Sequence, residues 1–151
     1  MNRFHVCTEP PWRKLNSAPV CFGTKDDQFG HFQVEFGCSI EAVIPFHLYG
    51  LLTCGGGWMK WRCAESAKSL SVFVTNASNS ILLPMVKASL YLYNLPGYYS
   101  DSSEVVFNDF RSPLQLSSGQ ALRLWFSEDY HNYHESDNGG TTCADVFAKY
   151  L

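Results

Sequence analysis

The chain has 151 residues, of which 46% are hydrophobic, 15% aromatic and 17% charged, and its formal net charge is -3. This length suits one domain with its own core, and the composition excludes an intrinsically disordered chain. No basic cluster is longer than the WRK at Trp12 to Lys14, and no apolar run reaches the roughly 18 residues of a membrane span. We therefore expect neither nucleic acid as a partner nor a membrane span.

The first half of the chain predicts extended structure. Residues 1–19 carry several prolines and little periodicity, and they predict an extended lead-in. HFQVEF alternates apolar with polar residues, which is the period of a half-buried strand. CSIEAVIPFHLYGLLTC also favours a strand, and Pro45 within it indicates a sheet edge or a bulge. CGGGWMKWRC then predicts a loop or hairpin that is closed at its base.

The second half of the chain continues the strand pattern. SLSVFVTNA, VKASLYLYNL, SEVVFNDF and ALRLWFSED are separated by turn signals, and TTCADVFAKYL closes the chain. No segment predicts a convincing amphipathic helix. About eight short strands predict an all-β fold, an antiparallel β-sandwich or jelly roll that forms a single domain over residues 1–151. The pattern leaves open whether the sheets form a sandwich or a barrel.

Six cysteines bear on the compartment of the protein. None lies in a C-x-x-C motif, so neither a zinc ribbon nor a redox motif is expected. An even number of cysteines in a small aromatic-rich domain predicts up to three disulfides in an oxidising compartment. The short loop of CGGGWMKWRC makes Cys54 and Cys63 the favoured local pair. The set of candidate disulfide cysteines is Cys7, Cys21, Cys38, Cys54, Cys63 and Cys143.

Two further observations concern secretion. Asn76 begins Asn-Ala-Ser, an acceptor pattern for N-glycosylation of secreted proteins. The start of the chain, MNRFHVCTEPPW, has no apolar stretch and is not a signal peptide. We predict a secreted, extracellular protein from which a signal has been removed, and a cytosolic protein is the alternative.

The segment Ser127 to Phe147, SEDYHNYHESDNGGTTCADVF, holds five carboxylates and no Lys or Arg. Calcium binds six to eight oxygens in proteins, and the two glycines allow backbone carbonyls to point inward. The segment therefore predicts a calcium site, with a solvated hairpin tip and a catalytic acid cluster as alternatives. One carboxylate lies in the apolar stretch CADVFA, which argues against simple solvation. The candidate ligands in this segment are Glu128, Asp129, Glu135, Asp137, Asn138 and Asp145.

Asp26 and Asp27, in TKDDQFG, form a second acidic pair. Because the first and last strands of a jelly roll often lie side by side, the two acidic segments are expected to meet, and this pair joins the candidate metal ligands. The alternative is that the pair only builds a turn. The nearby His131 and His134 do not predict a zinc site, because the Asn- and Gly-rich loop does not favour the helix that zincin motifs require.

Two loops carry candidate ligand-binding aromatic residues. Trp58 and Trp61 lie in the Gly-rich loop, and Tyr98 and Tyr99 lie after NLPG. Exposed rings on loops stack on sugar faces or anchor protein partners. The alternative is the ordinary packing of large rings beneath loops.

Three phrases in this order resemble an extracellular module of secreted cnidarian proteins: VCFGTKDDQFGHF, CGGGWMKWRC and SSGQALRLWFSEDYHNYHESDNGGTTCADVFAKY. The module opens on a Cys-Gly-x-x-Asp phrase, from which Phe22 departs. It closes on a GQxLR[IL]W phrase and an acidic ESDNxGxxCxDV tail. The resemblance spans Val20 to Phe147. It implies secretion and a β-rich domain, and it leaves the function open.

From the residues we predict a lectin-like binding protein rather than an enzyme. It would bind calcium and recognise a glycan or a glycoprotein surface, with the ion ordering the loops that carry the aromatic rings. An extracellular structural or adhesive protein with protein contacts, homo-oligomers included, is the alternative. A hydrolase that uses the acidic tail is a third candidate.

Overall fold

The structure is a computed structural model that describes residues 12–62, 69–85, 92–108 and 110–151. Within these ranges the chain forms strands, one five-residue helix, α1 (Ser127–His131), and one 3-10 turn (Glu135–Asp137). The strands are β1 (Trp12–Lys14), β2 (Val20–Gly23), β3 (Gly30–Gln33), β4 (Ser39–Cys54), β5 (Val72–Asn76), β6 (Ile81–Leu83), β7 (Leu114–Gln115), β8 (Ala121–Phe126) and β9 (Asn138–Tyr150).

The strands form two antiparallel sheets. The first sheet has the order β1-β9-β4-β7, and β2 also pairs with β9; the second has the order β3-β8-β5-β6. Strand β9 is central in the first sheet, because β1 and β2 pair with its two halves and β4 pairs with it along almost its whole length. The predicted all-β fold is confirmed, and the first strands do lie beside the last one.

The core lies between the sheets and takes alternate residues from strands of both. Val72 and Val74 of β5, Leu124 of β8, and Ala144 and Val146 of β9 belong to one buried cluster. This alternation is the period-2 pattern that the sequence shows, although β5 is buried on both sides, since Phe73 and Thr75 are also buried. The ring of Trp125 points away from this cluster, but it is also buried, because Phe29 and Tyr130 pack on it.

Several elements differ in detail from their prediction. Residues 12–14 form a strand rather than an extended lead-in. Pro45 lies opposite Val146 within a regular stretch of β4, and the two irregularities of register flank it instead, at 40–42 and 47–49. Of the predicted strand SEVVFNDF, only the isolated bridges of Glu104 and Phe107 are present in the described residues. Most of VKASLYLYNL lies outside the described residues.

The helix α1 was not expected from the sequence, and it is too short to carry an amphipathic pattern. No helix within the described ranges has the length and apolar character needed to cross a membrane.

Candidate functional site

The acidic segment folds as two short turns of helix between β8 and β9. Asn132 caps the C-terminal end of helix α1, and its left-handed backbone lets its N–H bond back to the carbonyls of Glu128 and Asp129. His134 also has a left-handed backbone, with φ of 49°, and it precedes the 3-10 turn. Asn is among the residues that tolerate this conformation. His131 is thus the last residue of α1 and His134 lies outside it, so the two do not share a helical face.

Asp129 joins the acidic segment to the loop between β2 and β3. Its side chain is 0% exposed, and its two carboxylate oxygens accept hydrogen bonds from the backbone N–H groups of Asp27 and Gln28, at 2.9 and 2.8 Å. The backbones of Asp26 and Asp27 are both left-handed, with φ of 60° and 56°. The two acidic segments thus meet, through one carboxylate and two backbone amides, while the side chains of Asp26 and Asp27 remain exposed.

Burial raises the pKa of Asp129 to about 6. The amides of Asp27 and Gln28 act against this rise, whereas a hydrogen bond with Glu135 and the charge of Glu135 add to it. None of the ion pairs that the described residues form with one another involves Asp129 or Glu135; these pairs are Lys60–Asp101 and Lys149–Glu41. Two carboxyl groups therefore lie together in a place where a neighbouring cation would be favourable.

Three buried oxygens lie in these same segments. Asn138 is 4% exposed, and its amide nitrogen donates to the carbonyl of Thr24 at 2.9 Å. Its side-chain oxygen has no hydrogen-bond partner among the described residues, and the same holds for Thr24 Oγ1 and Glu135 Oε1. Buried acceptors without a partner are uncommon and costly, so each requires an explanation. Thr24 was not predicted from the sequence, in which its position directly before the KDD turn is the only signal for it.

The Gly-rich loop after β4 packs against the acidic segment. A two-way hydrogen bond between Leu52 and Met59 closes it as a hairpin. A side chain at Gly55 would lie 2.7 Å from Asp137 Oδ2, and one at Gly140 would lie 2.6 Å from Trp58 Cζ3. The ring of Trp58 is 55% exposed. The loop thus places the exposed indole ring of Trp58 directly over Gly140, which follows the 3-10 turn in the first part of β9.

Trp61 does not join this surface, which corrects its prediction as a ligand-binding residue. It is 0% exposed, and its indole N–H donates to the carbonyl of Ser102 at 2.7 Å. The ring also makes an edge contact with His47. A ring that is enclosed in this way has no face free to stack on a ligand.

Tyr99 lies on the loop next to the Trp58 hairpin. The carbonyl of Ser100 accepts hydrogen bonds from the backbone N–H groups of Lys60 and Trp61, and this contact holds the two loops together. Tyr99 is 50% exposed, whereas Tyr98 packs partly against the core. Of the four aromatic candidates, Trp58 and Tyr99 are therefore the ones that present a large exposed ring.

Asp145 does not lie with the other carboxylates. It is seven residues from Asn138 along β9, which corresponds to roughly 23 Å at the rise of an extended strand. Its Oδ1 accepts a hydrogen bond from the side-chain amide of Asn16 at 2.8 Å, and Asn16 also accepts from the N–H of Val146. A structural partner on the neighbouring chain segment thus explains why an acid lies in the apolar stretch CADVFA.

Described cysteines are all disulfide-bonded. Cys21 of β2 is bonded to Cys143 of β9, directly opposite it in the sheet. Cys38 and Cys54 are also disulfide-bonded. The favoured Cys54–Cys63 pair stays a prediction, because Cys63 and Cys7 lie outside the described residues.

Asn76, the candidate glycosylation site, ends β5, and its side-chain oxygen accepts hydrogen bonds from the N–H groups of Ser78 and Ser80.

No protein-family model matches the chain, and no curated protein matches it either. Among solved structures, the chain is similar to AJLec, a lectin from the sea anemone Anthopleura japonica, with a TM-score of 0.83 and 33% sequence identity. The alignment covers 93% of this chain and 97% of AJLec. The cnidarian source of AJLec agrees with the source of the module that the three sequence phrases resemble.

Proposed function

Because the chain belongs to the family of the sea-anemone lectin AJLec, we propose that it is an extracellular carbohydrate-binding protein that recognises glycans or glycoprotein surfaces. The disulfide between Cys21 and Cys143 supports an oxidising compartment, since such bonds persist in secreted proteins. The binding surface is formed by the Trp58 hairpin and the acidic segment that follows β8.

The observation that carries this proposal is the position of Trp58. Its exposed ring lies over Gly140, and Gly55 of the same loop lies against the exposed carboxylate of Asp137. Sugar rings present an apolar C–H face and a rim of hydroxyls, so an aromatic surface beside a carboxylate can contact both. The neighbouring Tyr99 extends the aromatic part of the same surface.

A calcium ion in this surface is part of the proposal. Within the described residues, no group of three or more His, Cys, Asp or Glu side chains is arranged to hold a metal. The donors that remain are all oxygens, as calcium prefers: the Asp129 and Glu135 carboxylates and the unpartnered Thr24 and Asn138 oxygens. Such an ion would compensate the two carboxylates and give the buried acceptors a partner. Asp145 has no place in this set.

A glycan array tests the proposed function. We expect the protein to bind a subset of immobilised glycans in millimolar calcium and to lose most of this signal in chelator. Trp58→Ala should weaken binding about tenfold or more, as the loss of a central aromatic anchor does. Leu48→Ala is the matched control, because Leu48 is an exposed apolar residue on β4. Equal binding by Trp58→Ala and the wild type would remove the hairpin from the site.

A function in protein contacts is the second candidate, and one feature favours it. Phe46, Leu48, Tyr49 and Leu51 are all exposed along β4, although they are apolar or aromatic. Exposed apolar patches of this kind mark protein contacts. Sedimentation at increasing concentration distinguishes this function, since a Tyr49→Ser change would abolish self-association without affecting the glycan-array signal.

The hydrolase hypothesis receives no support from the acidic pair. A raised pKa is the property that a catalytic acid needs. Asp129, however, has no exposed surface, and its carboxylate is occupied by two backbone amides. It therefore has no route to a glycosidic bond. Release of free sugar from the glycans that bind on the array would contradict this conclusion.

A further inference from the structure

A cleft lies near the end of the first sheet that is opposite the proposed binding surface. There β1, β9 and β4 run side by side. It has a volume of about 290 Å³ and is lined by Trp12, Glu41, Ala42, Val106, Asn108 and Lys149. Trp12 of β1 lies opposite Lys149 of β9, and Ala42 of β4 lies opposite Lys149 from the other side. The sheet register itself therefore brings these residues together.

The cleft combines one exposed aromatic ring with several kinds of hydrogen-bonding group. Trp12 is 44% exposed, so a large part of its indole surface is open to solvent. The ammonium of Lys149 and the carboxylate of Glu41 are 3.0 Å apart and compensate each other's charge. Asn108 adds an amide, which both donates and accepts. A charged ligand would have to break the ion pair, whereas a neutral hydroxylated ligand can bond to both of its members.

We propose that this cleft is a second saccharide-binding site, which takes one neutral sugar ring and needs no metal ion. A volume near 300 Å³ is at the lower end of the range for ligand pockets, which suits a single ring rather than an oligosaccharide. The indole of Trp12 stacks on the apolar face of the ring, and Glu41, Asn108 and Lys149 bond to its hydroxyls. Among the described residues that line the cleft, Glu41 is the one carboxylate, so these residues offer no cluster for a cation.

The separation of the two sites determines what the second one adds. Lys149 follows Asn138 by eleven residues along β9, which corresponds to roughly 36 Å of extended strand. One short glycan cannot reach both sites. A single chain would instead hold two glycans and link the surfaces that carry them, so its avidity would exceed either affinity alone. This inference goes beyond the proposed function and depends on it only for the class of ligand.

The experiment uses the full chain, a panel of neutral methyl glycosides and a glycan array, each in calcium and in chelator. In chelator, we expect the wild type and Trp58→Ala to bind the same neutral sugars weakly, and Trp12→Ala to bind them about tenfold less or not at all. Asn108→Ala should have the same effect as Trp12→Ala. It provides a second test if the tryptophan substitution perturbs β1. In calcium, Trp12→Ala should retain array binding but no longer cross-link glycan-coated beads.

The outcomes separate this proposal from the first one. The second site would be refuted if Trp12→Ala and Asn108→Ala bound neutral sugars in chelator as well as the wild type does and still cross-linked glycan-coated beads. So would a wild type that binds no neutral sugar in chelator. If Trp58→Ala has no effect in calcium while Trp12→Ala abolishes binding, the second site stands and the proposed calcium-dependent site fails.

Discussion

Two features of the fold have opposite effects on the charge of the Asp129 carboxylate. Burial disfavours its charge, but the backbone amides of Asp27 and Gln28 need its two oxygens as acceptors. The hydrogen bonds fix the loop between β2 and β3 against helix α1. At neutral pH the charged form is present at a cost in stability, because its pKa in the folded protein, about 6, lies above the ordinary value of 3.8 for an aspartate.

The first prediction follows from the sign of this pKa shift. Between about pH 4 and pH 6 the folded protein holds a proton on Asp129 that the unfolded chain has released, so stability from this group falls as the pH rises through this window. In chelator, the wild type should lose on the order of 2 to 3 kcal/mol relative to Asp129→Asn over this range. Urea denaturation at several pH values measures the difference. Parallel pH profiles for the two proteins would contradict the raised pKa.

The second prediction compares Trp58 with Trp61, two tryptophans of one loop. Trp61→Ala should cost about 3 to 5 kcal/mol of unfolding free energy, because it leaves a cavity and an unpaired Ser102 carbonyl. Trp58→Ala should leave the melting temperature nearly unchanged, since its ring is largely exposed. Thermal unfolding of both variants checks this contrast. Similar losses for the two variants would show that Trp58 also supports the fold.

This contrast also shows what the sequence does not predict for single residues, namely which of two neighbouring side chains is buried. CGGGWMKWRC predicts a hairpin, but its periodicity does not say which tryptophan faces inward. That is decided by the pairing of Leu52 with Met59 and by the contact of the next loop through Ser100. The second of these joins residues that are far apart in the sequence. In the same way, the hydrogen-bond partner of Asp145 is Asn16, which is 129 residues away in the sequence.

Among the elements, β9 organises the first sheet and carries a covalent link to β2. Cys21 and Cys143 are 122 residues apart in sequence, so their bond closes most of the chain into a loop. A cross-link of this kind restricts the unfolded chain and stabilises the fold, by more for longer loops.

The third prediction concerns this bond. Replacing both Cys21 and Cys143 with Ser should lower the unfolding free energy by about 2 to 5 kcal/mol. Chemical denaturation under non-reducing conditions measures the loss. Thiol counting on the denatured protein is the control, and it should find none of the four described cysteines free in the wild type. Unchanged stability of the double variant would show that backbone pairing alone fixes β2 on β9.

The strands that the sequence predicted best are those in which buried apolar residues recur at every second position, such as β3, β5 and β8, although β5 is buried on both faces. The alternation depends on local side-chain chemistry, so a single sequence is enough to see it. Helix α1 was missed because five residues contain less than two turns of periodicity and its N-cap, Phe126, makes no side-chain capping bond. The order of the strands depends on long-range pairing, which no local pattern encodes.

At the scale of the whole molecule, the two ends of the first sheet differ in charge and chemistry. Near the start of β9 lie Asp129, Glu135 and Asp137, and near its end Lys149 is paired with Glu41. The acidic end is where the proposed calcium ion would bind, and the other end needs no ion. Calcium should therefore act on the stability of the molecule through one end only.

The last prediction tests this asymmetry. An ion that binds only the folded protein stabilises it by about 2.7 kcal/mol at a hundredfold excess over its Kd, or roughly 5 to 10 °C in melting temperature for a domain of this size. Millimolar calcium should produce this rise, and a chelator should reverse it. Glu135→Gln should abolish the response, because it removes a carboxylate that lies against Asp129. Asp145→Asn is the matched control within the same acidic segment. Its amide retains an oxygen for Asn16, and its response to calcium should equal that of the wild type. Identical melting curves in calcium and in chelator would mean that solvent alone compensates the acidic segment.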